Sequence, residues 1–280
     1  MPRSRHLVAA VAVATAAGLL VTGSVAAGAA TNRRPRIRPP ASIAKAKKIV
    51  YCSDITYPPE EFYRGSTPAG SDVDIGTAVA HLMGVKAEFD NTGFDGIIPA
   101  LLSRKCDAVI SGMNDTSQRR QQVNFVDYLR VGQSLMVRKG NPLHVHGLAS
   151  LSGRTVSVET GTTNAGFLQT ESSKLQAGGK KGISIVTFPK DNDAANALRT
   201  GKVDAYFGDS PVVAWYIKQA PSSFAFAGQP INPIPVGMAL RKDERALRTD
   251  MQRAVRMLYR NGQMRRILGR WSMSAFALKL

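Results

Sequence analysis

The chain has 280 residues, 44% of them hydrophobic and 20% charged, with a formal net charge of +17. That length holds two lobes of ordinary size, each with its own core, and the apolar fraction excludes wholesale disorder. The basic excess admits nucleic acid or an anionic envelope as partner, but the tract from Arg33 to Lys48 is interleaved with Pro35, Pro39 and Pro40 rather than with stacking aromatics, which argues against nucleic-acid readout.

Arg3, Arg5 and His6 precede an apolar run from Leu7 to Val21 and a small-residue stretch from Ser24 to Ala30. Residues 1–30 are therefore expected to be a secretory signal peptide with a cleavage option at Ala27-Gly28-Ala29. The run is short for a bilayer span, which takes ~20 apolar residues. No cysteine follows closely enough to be lipidated, so the mature chain is expected to be exported and soluble, periplasmic or extracellular and cell-envelope associated. Residues 31–48 carry seven basic side chains and no acid, and read as a basic, Pro-rich linker.

From Lys48 strands and helices alternate. Ile49 to Cys52 reads as a buried strand. Ile75, Val79, Leu82 and Met83 recur at helical spacing, with Ser71 or Asp72 as N-cap and Gly84 as stop. Val85 to Phe89 is a second strand, Gly96 to Leu102 a helix and Ala108 to Ile110 a third strand. Thr155 to Val158, Ile183 to Phe188 and Val203 to Phe207 repeat the strand pattern, with helices starting near Thr162 and Asn192. After Val236 the spacing predicts helix to the C-terminus, broken at Asn261-Gly262. This order predicts an α/β fold of two similar lobes with mainly parallel sheets. Cys52 and Cys106 are the only cysteines; in an exported chain they permit a disulfide without fixing one.

Ala100 to Gly112 aligns without gaps on Ala197 to Asp209, matching Ala, Leu, Lys, Asp and Ala, and each stretch reads as helix end, turn and strand. Ligands of parallel α/β sheets bind beyond the carboxyl ends of the strands. Asp54, Ser111-Gly112, Glu159-Thr160-Gly161 and Gly208-Asp209 all stand at such ends, and line one cleft if the lobes face each other.

Arg119 falls in the first turn of a helix after a strand exit, where a guanidinium can grip a carboxylate bidentately; viewed alone beside Arg120 it reads as a surface arginine, and its position after a strand tip sets the two readings level. Asp209 can accept from a ligand ammonium or cap the helix near Pro211. Gly161-Thr162-Thr163-Asn164 offers N–H and hydroxyl donors, and Tyr57 and Phe94 offer rings after strand exits. Neither a catalytic set nor a cofactor or metal motif emerges: His144 and His146 lack partner ligands, and neither a nucleophile elbow nor a phosphate loop occurs.

Taken in order, Tyr57-Pro58-Pro59-Glu60-Glu61-Phe62, Gly70-Ser71-Asp72-Val73-Asp74-Ile75, Phe94 to Leu101, Asp107 to Met113, Thr116 with Arg119, Gly161-Thr162-Thr163 and Asp204 to Asp209 resemble the polar amino-acid-binding proteins of ABC transporters, the bacterial solute-binding proteins of family 3. The resemblance implies the type II periplasmic-binding-protein fold, with a discontinuous lobe 1 (49–137 plus 236–280), lobe 2 (138–235), and hinge crossings near Met136–Lys139 and Pro235–Ala239. It implies that Arg119 holds an α-carboxylate with Asn114 and Thr163, while Asp209 and the Gly112 backbone hold the α-ammonium. Tyr57 and Phe94 then sandwich the side chain, and Asp54 and Glu159 face its tip, with Ser111 and Thr162 lining the same cleft. Glu60 and Ser71 stand where the family usually has Phe, and the extra acids hint at a cationic ligand. The expected partners are a free amino acid and an integral membrane ABC permease, with no nucleic acid, no cofactor and a monomeric state. The competing expectation is an enzyme on this scaffold, dehydrating a cyclohexadienyl amino acid with Asp54, Glu159 or Glu60 as acid.

Overall fold

The computed structural model describes residues 36–279, so the expected signal peptide and the start of the linker lie outside it. Helix α1 (Ala41–Ala46) leads into strand β1 (Lys48–Ser53), and a small antiparallel sheet of β2 (Thr56–Tyr57), β3 (Glu61–Arg64) and β4 (Thr67–Ala69) follows. Helix α2 (Ser71–Leu82), β5 (Lys86–Asn91), α3 (Ile97–Leu102) and β6 (Ala108–Val109) complete the first β-α run. The single turn α4 (Ser117–Arg120) opens the long strand β7 (Val123–Arg138). The pattern repeats as β8 (Thr155–Glu159), α5 (Thr163–Ala177), β9 (Ser184–Phe188), α6 (Asp191–Arg199) and β10 (Ala205–Asp209). The chain ends with α7 (Ser210–Gln219), β11 (Phe224–Phe226), β12 (Ile231–Arg241), α8 (Arg245–Arg260) and α9 (Gln263–Arg270).

The main sheet runs β5-β1-β6-β12-β7-β10-β8-β9, with β11 also on β7. Its two outer portions are parallel, β5-β1-β6 in the first half and β10-β8-β9 in the second. The antiparallel pair β7 and β12 joins them. Strand β7 pairs with β12 from Val123 to Gln133, and with β10 from Gln133 to Val137. That exchange of partners falls at Gln133.

Helices cover both faces of each half. In the first, Ile75 and Val79 of α2 and Leu247, Met251 and Leu258 of α8 pack with Tyr51, Tyr128 and Met238, while Ile97 and Leu101 of α3 pack with Cys52, Val109 and Phe125 on the other face. In the second, Leu168 packs with Val156, Val158 and Phe207, and Ala194, Leu198 and Val213 with Met136 and Tyr206. This is an α/β fold with a mainly parallel mixed sheet. Cys52 and Cys106 form a disulfide, with their Cα atoms 5.6 Å apart.

Three sequence expectations are corrected. The helix predicted from Val236 is instead strand β12 up to Arg241, and helix starts at Arg245; the break at Asn261-Gly262 is present, with Gly262 N-capping α9. Residues 36–47, expected as solvated linker, bury Ile37 and Ile43 in the first core, and the Ile37 N–H donates to the Leu82 carbonyl. The N-cap of α2 is Gly70, not Ser71 or Asp72.

Candidate functional site

The carboxyl ends of β1, β6, β8 and β10 bring Asp54, Ser111-Gly112, Glu159 and Asp209 to the junction of the two halves. All four tips are buried. The Asp54 carboxylate accepts from the Phe94 N–H (2.8 Å) and the Thr56 hydroxyl (2.7 Å). Ser111 Oγ accepts from the Asp54 N–H (2.9 Å) and donates to Glu61 (2.8 Å). The Gly112 N–H donates to Asp72 (2.8 Å), which also accepts from the Tyr128 hydroxyl (2.5 Å). Gly112 has φ +48°, and a Cβ there would stand 3.0 Å from the Tyr57 ring, so only glycine lets this ring lie against the strand tip.

Arg119 bridges the halves. The Thr116 side chain caps α4 by accepting from the Arg119 N–H (3.2 Å), which fixes the residue in the first turn. Its guanidinium lies 5.2 Å over the Phe94 ring, donates to the Asn114 carbonyl (2.8 Å), and reaches the Gly161 carbonyl (3.3 Å) in the second half. Burial lowers its pKa, opposed by Asp209 and Tyr57.

Asn114 carries a second bridge. Its side-chain carbonyl accepts from the Thr163 hydroxyl, and its amide donates to Asp209 at 3.5 Å. Asp209 also accepts from Asn164 (3.1 Å), which in turn accepts from Gln133 (2.6 Å). The Asp209 N–H donates to the Tyr57 hydroxyl at 3.4 Å. Asp209 is the positional N-cap of α7, but its side chain makes no cap hydrogen bond; it points into this network instead. Thr162 behaves differently: its hydroxyl caps α5 through the Ala165 N–H and donates to the Glu159 carbonyl, so it is committed to the turn. All eleven residues singled out in the sequence thus stand at or beside the junction.

The sequence reading missed how many acids gather here. Asp54, Glu60, Glu61, Asp72, Glu159, Asp191 and Asp209 are all buried. Glu60 Oε2, Glu61 Oε2, Asp72 Oδ1 and Glu159 Oε1 have no hydrogen-bond partner. Burial pushes the Glu60, Glu61 and Glu159 carboxyls well above the usual range, and neighbouring carboxylates add to it. Asp191 is pushed up to about 7 by burial, against hydrogen bonds from Tyr206 and Tyr216. Asp209 is pushed up to about 6, again by burial, although Asn164, Asn114, Tyr57 and Arg119 all oppose the shift. A site with one guanidinium among seven carboxylates favours cations or protons. Among the described residues no group of three or more potential ligands is arranged to hold a metal ion.

A second contact joins the halves away from the strand tips. Trp215 of α7 lies 5.3 Å from Phe62 of β3 and 6.3 Å from Trp271, centroid to centroid. Arg64 stacks over both Phe62 (5.6 Å) and Trp271 (4.9 Å), and Lys218 donates to Ser272 (3.1 Å). These spacings are those of favourable aromatic and cation–π pairs.

Known proteins share this architecture. The sequence pattern of the bacterial extracellular solute-binding proteins, family 3, matches residues 49–274. ABC transporter arginine-binding protein 1 of Escherichia coli is 29% identical over 231 residues, covering 81% of this chain and 91% of that protein. The solved structure of an ancestral arginine-binding protein bound to arginine has a TM-score of 0.75 and 32% identity, over 80% of this chain and 98% of that one. The structure of the ancestral amino acid-binding protein AncCDT-1, a precursor of cyclohexadienyl dehydratase, also has a TM-score of 0.75, with 30% identity over 82% and 97% of the two chains. With the family pattern spanning both β-α runs and the strand tips that face each other between them, the chain belongs to the bacterial extracellular solute-binding proteins of family 3.

Proposed function

We propose that the chain is the extracytoplasmic binding component of an amino-acid ABC transporter, and that it captures a free amino acid with a cationic side chain, of the arginine or lysine type. Residues 49–137 with 236–280 form one lobe, residues 138–235 the other, and β7 and β12 are the hinge. Arg119 grips the α-carboxylate with Thr163 and Asn114 beside it. Asp209 receives the α-ammonium, and Tyr57 and Phe94 flank the side chain. Asp54 and Glu159 face the distal cation.

The observation that carries this reading is Glu159, 3% exposed, with Oε1 unpartnered and other buried carboxylates around it. Leaving such a group unsatisfied costs about 1–3 kcal/mol, more if charged, and a ligand cation removes that cost. Closure follows because ligand contacts from both lobes exist together only in the closed state. The relatives named for arginine binding support the same ligand class. Export by the N-terminal segment and delivery to a membrane permease complete the proposal; among the described residues no helix is long and apolar enough to cross a membrane.

Calorimetric titration with each common amino acid tests it. Arginine or lysine should bind at least ten-fold tighter than glutamine or leucine, and Arg119→Ala should weaken binding at least a hundred-fold, as expected when one partner of a buried charge-assisted pair is lost, about 3 kcal/mol. Preference for a neutral ligand sinks the cationic assignment, and binding untouched by Arg119→Ala sinks the clamp. Glu159 also motivates a second reading, since a buried carboxyl held protonated can act as a general acid. Turnover of arogenate or prephenate, followed by absorbance and lost in Glu159→Gln, would establish that reading in place of a pure receptor.

A further inference from the structure

Helix α8 carries Arg245, Arg248, Arg253, Arg256 and Arg260. At 100° per residue these five fall within an arc of about 140°, on the side opposite Leu247, Met251, Ala254 and Leu258, which are buried in the first core. Arg245, Arg253, Arg256 and Arg260 are exposed, and Arg248 half-buried. Among the described residues only Arg253 of the five has an acid in ion-pair range, Asp250 of the same helix at 3.4 Å. The exposed Arg265 and Arg266 of α9 continue the array, likewise without an acid in range among the described residues.

An ordinary solvated helix face mixes both signs, because like charges three or four residues apart repel. Here the face has no acid. Arg245 and Arg248 also occupy the first turns, where the positive end of the helix macrodipole opposes them; the acid at the N-cap, Glu244, is engaged by Arg241 and Arg104 instead. Helix propensity explains none of this, since Glu or Gln would serve as well. Local energetics therefore disfavour the array, and an external anion would relieve it. The choice of arginine throughout, with no lysine in α8, fits planar guanidinium groups meeting phosphate oxygens.

The partner's form follows from the shape of the face. Sixteen residues make a rod of about 24 Å, and the remaining exposed positions are Ala246, Thr249 and Gln252. The one aromatic side chain within this arc, Tyr259, is half-buried with its hydroxyl donating to the Tyr128 carbonyl (2.7 Å), so it is not free to stack on a base, and no exposed apolar residue larger than alanine is there to insert among acyl chains. A flat sheet of phosphates satisfies a row of guanidinium groups along its whole length. We propose that the arginine face of α8, extended by α9, adsorbs the protein onto a bilayer rich in acidic phospholipid, without insertion. The proposal is independent of which amino acid the cleft takes, because no α8 residue belongs to the network at the strand tips.

The test is co-sedimentation of the full chain with vesicles of phosphatidylcholine alone, or with about 30 mol% phosphatidylglycerol. Wild type is compared with a quadruple variant, Arg245→Gln, Arg248→Gln, Arg256→Gln and Arg260→Gln. Both proteins keep the same residues 1–48, so their difference reads the helix face alone. Each arginine is expected to contribute about five-fold to the partition coefficient, and the quadruple change at least about 100-fold. Binding should vanish for both proteins at about 500 mM salt, where screening reaches a few ångströms. Thermal melting and arginine titration should be unchanged in the variant, or melting raised through relieved repulsion. If half-buried Arg248 proves necessary for folding, the triple variant that retains it makes the same comparison, with at least about 50-fold expected. Equal partitioning of wild type and variant, or equal binding to neutral vesicles, overturns the proposal. So does displacement from acidic vesicles by duplex oligonucleotide at equal phosphate concentration, which would assign the face to nucleic acid.

Discussion

Asp107 and Asp204 make the same pair of contacts in the two halves of the chain. The Asp107 N–H donates to the Val50 carbonyl (2.8 Å), and the Asp107 carboxylate accepts from the Val50 N–H (2.8 Å). The Asp204 N–H donates to Thr155 (2.8 Å), and its carboxylate accepts from the Thr155 N–H (2.9 Å). Each aspartate fastens the strand that ends in a site acid, β1 before Asp54 and β8 before Glu159. The turn before each pair is also shared: Arg104 and Gly201 stand at matching positions with φ of 64° and 75°.

Asp107→Ala and Asp204→Ala should therefore destabilise by similar amounts, about 1–3 kcal/mol each, because a half-buried backbone N–H loses a charged acceptor. Additivity is expected in the double variant, since the two sites share no partner. Urea unfolding monitored by circular dichroism measures this; a loss in one half alone would show that the clips are not equivalent.

The buried acids make stability and binding respond to pH in opposite directions. Asp209 and Asp191, raised to about 6 and about 7, hold protons in the folded state that the unfolded chain releases near pH 4. Between those values the native state binds more protons, so stability falls as pH rises from about 4 to about 6 through Asp209 and to about 7 through Asp191, by about 1.4 kcal/mol per unit for each group. Ligand affinity should instead fall below pH 6, about ten-fold per unit, as Asp209 protonates and ceases to attract an ammonium. Melting temperatures with and without arginine should diverge as pH increases, and an unchanging gap between pH 5 and 8 would contradict the role of Asp209.

Trp215→Ala should weaken ligand binding without touching the ligand. Its packing on Phe62 and Trp271 exists across the junction, and aromatic pairs contribute about 0.5–1.5 kcal/mol beyond area burial. Affinity should fall about two- to ten-fold, and double-mutant cycles with Phe62→Ala should show coupling. An affinity equal to wild type would mean that this contact is retained when the lobes separate.

The Cys52–Cys106 disulfide closes a loop with a sequence separation of 54 residues. Chain-entropy arguments give it about 4 kcal/mol of stabilisation. Reduction, or Cys52→Ala with Cys106→Ala, should lower the denaturant midpoint accordingly while changing arginine affinity by less than two-fold. Calorimetry of the reduced protein checks the second half of that statement.

The strand tips were legible because an apolar run ending in a polar residue marks a parallel strand and its exit together, as at Ile49–Asp54 and Val203–Asp209. The connecting strands were not. Strand β7 is buried on both faces over most of its length, so Val123–Arg138 carries no alternation. In β12 the prolines Pro233 and Pro235 remove ladder donors and accompany a register shift between Ile231 and Ile234, which hides a strand from propensity. Isolated Ile37 and Ile43 gave no period inside a basic tract, although both are buried.

At the site, the strand-tip positions bring Arg119 and Asp209 to the same junction, where both contact Asn114. The extra acids were not legible in the sequence, for a physical reason. Asp72 in a first helical turn has the appearance of a cap, whereas its carboxylate turns back to Gly112 and Tyr128. Asp191 lies in Lys190-Asp191-Asn192-Asp193, which reads as solvated, yet it is buried beneath two tyrosines. The useful signal was Glu60, a carboxylate in place of an aromatic ring, now 1% exposed with one oxygen unpartnered.

With carboxylates enclosed and guanidinium groups spread outside, the field felt by an approaching cation changes sign with distance. Beyond about 8–10 Å the net positive shell repels it; within the cleft the acids draw it in. If the cleft takes a cationic solute as proposed, its association rate should rise with added salt, the reverse of ordinary electrostatic steering. On the proposed reading, the folded chain would act on cations at short range only.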